Sequence, residues 1–169
     1  LGQDLRPLMF PAPSDIETAT RTLERPSLTL PSLFATEYAM ARLFQSWGVE
    51  PDALIGHSVG EFVAATLAGV FSLAAAMGLI AKRGALMQAQ PPGTMLSVRM
   101  SLAELASGLP SELSLAAENA PGSCVVSGTL DAVATFQAKL ESEGVACRAL
   151  RTSHAFHSQM MEPVVAPFR

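Results

Sequence analysis

Gly56-His57-Ser58-Val59-Gly60 is a G-x-S-x-G pentapeptide. That spacing suits a tight turn from which a serine hydroxyl projects at the end of a strand and the start of a helix. Glycines on both sides let the turn close. The next amide, that of Val59, points where an attacked acyl group would develop a negative oxygen. A serine nucleophile needs a base, and the chain has three histidines. His57 adjoins the serine and is expected to point away from it across the turn. His154 and His157 sit together in Ser153-His154-Ala155-Phe156-His157-Ser158, and one of the two is expected to serve. Arg83 follows Lys82 late in a mostly apolar segment, and spacing alone leaves two readings open. The pair could snorkel into water from a helix end, or the Arg83 guanidinium could grip a carboxylate through two parallel hydrogen bonds.

The flanking elements fit this reading. Residues Leu1 to Arg25 read as irregular, broken by Pro7, Pro11 and Pro13, with a short polar helix from Ser14. Ser27 to Pro31 reads as a linker. Leu33, Phe34, Met40, Leu43, Phe44 and Trp47 recur at helical spacing, and Gly48 closes that helix. Ala53-Leu54-Ile55 is a short apolar run, as in a buried parallel strand. Phe62 to Ala81 is the longest apolar stretch, but Thr66, Gly69, Ser72 and Gly78 interrupt it. Two buried helices with a turn between them are expected there, the second capped by Ser72, and no membrane span.

Pro91-Pro92-Gly93 is the strongest boundary. Beyond it the pattern shifts to short elements. Strands are expected at Thr94–Met100, Leu113–Glu118, Cys124–Ser127 and Val145–Arg151. Helices are expected after the capping box at Ser101 and Glu104 and over Leu130–Glu143. Strand, helix, strand, strand, helix, strand is the split βαβ order of a ferredoxin-like sandwich. Residues 93–152 are therefore read as an inserted domain, and residues 1–92 and 153–169 as the domain that carries the serine.

Composition narrows the function classes. Eleven basic against 15 acidic residues give a net charge of −4, which argues against a general nucleic-acid binder. With 49% hydrophobic and 15% charged residues, a buried core is expected and wholesale disorder is excluded. Cys124 and Cys147 make neither a disulfide framework nor a metal site, and no signal peptide opens the chain, so a reducing, cytoplasmic setting is expected. Both ends read as cut: there is no initiating Met, and Met160 to Arg169 stops inside an apolar pattern.

The chain resembles the acyltransferase domain of modular type I polyketide synthases, itself similar to malonyl-CoA:acyl-carrier-protein transacylases. The matching stretches are Pro31-Ser32-Leu33-Phe34-Ala35 with Glu37-Tyr38-Ala39, Trp47-Gly48-Val49, Gly56 to Glu61, Leu67 to Leu73, Arg83-Gly84, Val125 to Gly128, and Ser153 to Ser158. The resemblance implies an α/β fold: an α/β-hydrolase-like subdomain with a parallel sheet and a nucleophile elbow, plus the ferredoxin-like α+β insertion. It implies Ser58 as nucleophile, His157 as base, Val59 as backbone oxyanion donor and Arg83 as the group that holds a substrate carboxylate. His154 then becomes the first histidine of the signature rather than the base. A glutamine of the oxyanion hole and a residue that orients the histidine would lie before Leu1 and after Arg169. Leu30 stands where many relatives carry glutamine.

The implied activity is transfer of a malonyl extender unit from CoA, through an acyl-serine, to the phosphopantetheine thiol of an acyl carrier protein. No tightly bound cofactor or metal is implied. The implied partners are the carrier protein and neighbouring ketosynthase and other synthase domains, with no nucleic acid and no membrane. Val59, His154 and Phe156 are the expected specificity positions. Relatives that load a branched unit often carry glutamine after the nucleophile and serine before the base; Val59 and the bulkier Phe156 point to malonyl over methylmalonyl. An ester or thioester hydrolase shares the nucleophile and base. It would usually have an orienting acid between them, and Glu104, Glu112, Glu118, Asp131, Glu141 and Glu143 all belong to the small domain's pattern. A non-catalytic scaffold is the third reading, against which the intact Ser58, Arg83 and His157 count.

Overall fold

The structure is a computed structural model that describes residues 2–169; Leu1, first residue of the expected irregular segment, lies outside them. The chain divides into two compact units, Leu1–Leu86 and Met87–Arg169.

The first unit is helical. The opening segment is more ordered than expected, with α1 (Arg6–Met9), a 3-10 turn (Pro13–Asp15) and α2 (Ile16–Leu23). Pro7 and Pro13 sit in first turns, where a missing N–H has no helical partner to lose. The expected linker at Ser27–Pro31 is instead part of α3, which runs over Pro26–Ser46. Pro31 interrupts the backbone bonding inside that helix. Even so Pro26, Leu28, Leu30, Pro31 and Phe34 are buried, and that packing keeps the turn helical. Leu30, the departure from glutamine, thus faces the unit's interior. The later apolar residues of α3 do not form the expected core face: Met40, Leu43, Phe44 and Trp47 are exposed. Gly48 ends the helix at φ +83°, with the Val49 N–H donating back to the Phe44 carbonyl at 3.1 Å.

Ala53-Leu54-Ile55 does not form the expected buried strand. No strand is assigned there, and Ile55 is 93% exposed. A parallel strand exists only through neighbours that take its backbone groups, and among the described residues the first unit holds no second strand. The two helices expected over Phe62–Ala81 are present as α4 (Gly60–Leu67) and α5 (Leu73–Gln88), separated by Gly69 at φ +79°. The Ala75 N–H donates to the Ser72 hydroxyl at 3.2 Å. Neither helix is buried all round: α5 buries the stripe Ala76, Ile80 and Gly84 and exposes Leu73 and Lys82. Gly84 lets α5 sit against the start of α3, since a Cβ there would lie 2.7 Å from the Pro26 carbonyl oxygen.

The second unit is a four-stranded antiparallel sheet in the order β2-β3-β1-β4. Its strands are β1 (Thr94–Val98), β2 (Leu113–Ala120), β3 (Ser123–Gly128) and β4 (Cys147–Ala149). Register runs from Thr94 opposite Gly128 to Val98 opposite Cys124. The connections are α6 (Leu102–Gly108), opened by the Ser101–Glu104 capping box, and α7 (Leu130–Ser142), capped by Thr129. Leu96, Val98 and Val126 of the sheet pack with Leu105 of α6 and Val133, Phe136 and Leu140 of α7 in one core. After β4 the chain passes through residues 150–158 and a 3-10 turn (Gln159–Met161) into α8 (Glu162–Phe168). This return segment is tied to the sheet. The Gly93 N–H donates to the Ser153 carbonyl at 3.2 Å, and the Gln159 N–H donates to the Ser114 hydroxyl at 3.2 Å. A Cβ on Gly93 would come within 2.7 Å of the Ala155 Cβ and 2.8 Å of the Gly128 oxygen, so only glycine fits there. Among the described residues, no helix is long and apolar enough to cross a membrane.

Candidate active site

In the first unit the pentapeptide forms a sharp turn directly before α4, with Val59 as N-cap residue. Ser58 stands at φ +55°, a left-handed conformation that a side chain disfavours. The turn closes because Gly56 has no side chain: a Cβ there would fall 2.0 Å from the Glu61 nitrogen and 2.0 Å from the Gly60 carbonyl carbon. The Gly60 N–H donates to the His57 carbonyl at 3.0 Å, and the Glu61 N–H to the Ser58 carbonyl at 3.3 Å. The Glu61 carboxylate then reaches back to accept the Gly56 N–H at 3.2 Å. Val59 is 2% exposed, and its amide lies at the N-terminal end of α4, where helix N–H groups have no partner within the helix.

His57 is exposed on this turn. Glu37, on α3, approaches from the other side, its Oε2 lying 3.6 Å from where a Gly60 Cβ would stand. Burial pushes the Glu37 carboxyl above its ordinary range, while the nearby His57 pulls the other way.

Arg83 separates from its neighbour Lys82. Lys82 is exposed, whereas Arg83 is half-buried. The Arg83 guanidinium carbon lies 5.6 Å from the Phe62 ring centroid, a cation–π arrangement. Phe62 in turn stacks on Phe71 at 6.4 Å. The Arg83 Nη1 is buried without a hydrogen-bond partner, and burial pulls the group below the usual arginine pKa without discharging it. A half-buried guanidinium with an unmet donor is suited to a planar anion.

The two remaining histidines lie in the second unit and differ sharply. His154 is buried, at 8% exposure, and both its ring nitrogens are engaged. Its Nε2 lies 3.2 Å from the Gln90 carbonyl oxygen, which can only accept, so Nε2 carries the proton. The Nδ1 then accepts from the Ser153 hydroxyl at 2.8 Å. Phe156 stacks on the His154 ring, centroids 6.3 Å apart. His157 is exposed and stands at φ +56°. The structure thus gives His154 a fixed tautomer inside the fold and sets His157 on a left-handed turn at the surface.

Gln90 and Phe62 carry no site signal in the sequence, and Glu37 and Glu61 fall within the matching stretches without a role assigned to them there. Gln90 acts through its main chain and leaves no signal in residue type. Phe62 lies within an apolar run in which nothing distinguishes it from core. Glu61 follows the pentapeptide directly and could have been read as a carboxylate able to fold back on it.

The profile of the acyl transferase domain matches residues 14–169. The chain belongs to the acyl transferase domain family. It is 47% identical over 139 residues to the mycoketide-CoA synthase of Mycobacterium tuberculosis, a match that covers 82% of this chain and 3% of that protein. It is 44% identical over 174 residues to polyketide synthase GfsA of Streptomyces halstedii, covering 100% of this chain and 2% of that one. Among solved structures, the acyltransferase domain from the second module of the salinomycin polyketide synthase matches with a TM-score of 0.87 at 45% identity, covering 99% of this chain and 39% of that one. The malonyl CoA-acyl carrier protein transacylase from Burkholderia pseudomallei matches with a TM-score of 0.83 at 31% identity, covering 99% and 58%. The chain therefore spans about two fifths of the length of the salinomycin domain and a small fraction of the synthases.

Proposed function

We propose that the chain is part of an acyltransferase that moves a malonyl extender unit from CoA to the phosphopantetheine thiol of an acyl carrier protein, in polyketide biosynthesis. The observation that carries the reading is Ser58, held at φ +55° on a glycine-flanked turn at the head of α4 in a member of the acyl transferase family. The Ser58 Oγ attacks the thioester carbonyl while His157 takes its proton. The Val59 amide steadies the resulting oxyanion. The carbon–sulfur bond breaks, and the CoA thiolate leaves with the proton from the imidazolium. The carrier thiol then attacks the acyl-serine, His157 takes that thiol's proton, and the Ser58 hydroxyl is restored. Arg83 holds the free carboxylate of the malonyl group. Val59, His154 and Phe156 are the specificity positions of this reading, and the bulk of the Phe156 side chain favours malonyl over methylmalonyl.

Under this reading the serine-bearing subdomain comprises residues 1–92 and 153–169 and is α/β-hydrolase-like, with a parallel sheet. Residues 93–152 are a ferredoxin-like subdomain, which the strand order β2-β3-β1-β4 supports. The partners are the carrier protein and the ketosynthase and other synthase domains of the same polypeptide. The site needs no tightly held cofactor and no metal, and the setting is the cytoplasm. Mass spectrometry of the complete domain after exposure to malonyl-CoA tests the function. A lasting malonyl adduct on Ser58, transferred when a carrier protein is added, is expected. Rapid release of free malonate would identify a hydrolase instead, and Ser58→Ala must carry no adduct.

A further inference from the structure

We propose that Ser158 is a positioning residue for His157, its hydroxyl holding the histidine backbone in the left-handed conformation. The proposal rests on His157 being the base. A non-glycine residue at φ +56° persists only where its surroundings over-determine it, and the loop shows how that is done. Upstream, Ala155 is fully buried and the Phe156 N–H donates to the His154 carbonyl at 3.1 Å. Downstream, Ser158 opens the 3-10 turn, and the Met161 N–H donates to the Ser158 carbonyl at 3.0 Å. The Ser158 hydroxyl bridges the two sides. It donates its proton to the Ala155 carbonyl at 2.6 Å and accepts the Met160 N–H at 3.2 Å. A hydroxyl has one proton and two lone pairs, so both roles are filled at once and the chain is clasped from two residues before His157 to three after it. A simple helix cap accounts for the Met160 contact alone. The bond to Ala155 is the one that closes the loop around the histidine.

The test uses the complete acyltransferase domain and single-turnover loading from malonyl-CoA. Ser158→Ala is expected to lower the acylation rate about tenfold to a hundredfold, as for a catalytic group misplaced by roughly an ångström, with KM within about twofold. Ser158→Thr keeps the hydroxyl, and the extended backbone at Ser158, φ −122°, accepts a β-branched side chain, so it restores the rate. Ser158→Asp can cap the Met160 amide but has no proton for the Ala155 carbonyl. It is expected to recover the melting temperature without the rate, and this contrast stands even where Ser158→Ala folds poorly. A Ser158→Asp domain that loads as fast as wild type, or a Ser158→Ala domain that does, overturns the proposal. His157→Ala in the same assay separates the two ideas. If it is slow while Ser158→Ala is fast, the base stands and the positioning role falls. If His157→Ala is itself fast, the base reading falls and takes this proposal with it.

Discussion

Ser58 and His157 share a backbone state that no other non-glycine residue among those described adopts: φ +55° and φ +56°. Each position costs roughly 1–2 kcal/mol relative to ordinary backbone. The strain falls on the proposed nucleophile and the proposed base, the residues whose side-chain direction matters most to the proposed reaction.

The two histidines of the return loop should separate cleanly under mutation. His157→Ala is expected to slow acylation by ~10²–10⁴, the range for losing a general base, with little change in melting temperature because the side chain is exposed. His154→Ala removes a buried ring bonded at both nitrogens. It should cost about 1–3 kcal/mol of stability and alter selectivity more than rate. Thermal melts and single-turnover loading, run side by side, check both. Reversed effects would move the base to His154.

Arg83→Ala should weaken malonyl loading and relatively favour acetyl. Losing charge-assisted hydrogen bonds to a carboxylate corresponds to ~1.5–3 kcal/mol, or roughly tenfold to a hundredfold in the malonyl-to-acetyl ratio. Competition between the two CoA esters reads that ratio. An unchanged ratio would leave Arg83 a structural partner of Phe62 alone.

Phe156→Ser should narrow the preference for malonyl over methylmalonyl, by about 1–3 kcal/mol for one methyl group. It also strips the His154 ring of its stacking partner, so some loss of rate is expected. The measurement is the ratio of acyl-serine species from mixed CoA esters. A wild-type domain that loads mainly methylmalonyl would sink the steric account.

Two glycines offer a stability contrast. Gly56→Ala places a methyl group 2.0 Å from main-chain atoms of Gly60 and Glu61, which cannot yield without opening the elbow. It should abolish loading and lower the melting temperature. Gly78→Ala, in the middle of α5 with nothing within 4 Å of the new methyl, should stabilise by about 0.5–1 kcal/mol. Chemical denaturation of both variants checks the pair.

Glu37 gives a pH signature. Burial holds its carboxyl above the ordinary value of 4.5. A raised folded-state pKa contributes stability at low pH that is lost as pH rises through that value. Glu37→Gln removes the dependence. The variant should melt higher than wild type at neutral pH, with the gap closing as pH falls below the ordinary carboxylate range. A variant that melts lower at neutral pH would show that the carboxylate is held as an anion against the start of α4.

The second unit was largely legible from local signals. The Pro91-Pro92-Gly93 boundary, the Ser101–Glu104 box and the short apolar runs beyond it placed four strands and two helices to within a few residues. The first unit was harder, because its elements depend on groups that local pattern does not report. Pro31 reads as a breaker yet sits inside α3, since burial of Leu30 and Phe34 outweighs a lost backbone bond. Ala53–Ile55 has the composition of a strand, but a strand needs a neighbour to accept its hydrogen bonds. At the candidate site, Ser58 and the histidine pair stood out by type and spacing, whereas Arg83 was assigned to the site only by the family resemblance. The residues alone left His154 and His157 open as the base, and the difference in their surroundings was not legible, because one partner of the His154 ring is the main-chain carbonyl of Gln90.

The contact between Gly93 and Ala155 constrains how such domains can be recombined. Chimeras built to test Phe156 as a specificity position would graft the short segment around it into a different host. That segment carries Ala155, whose methyl group occupies the space a side chain at position 93 would need. A host with anything larger than glycine at 93 would push the grafted loop off the sheet and carry the histidine with it. Position 93 therefore belongs to the same transplant unit as the loop, although the two are far apart along the chain. A crossover point between them is safe only where both parents have glycine there.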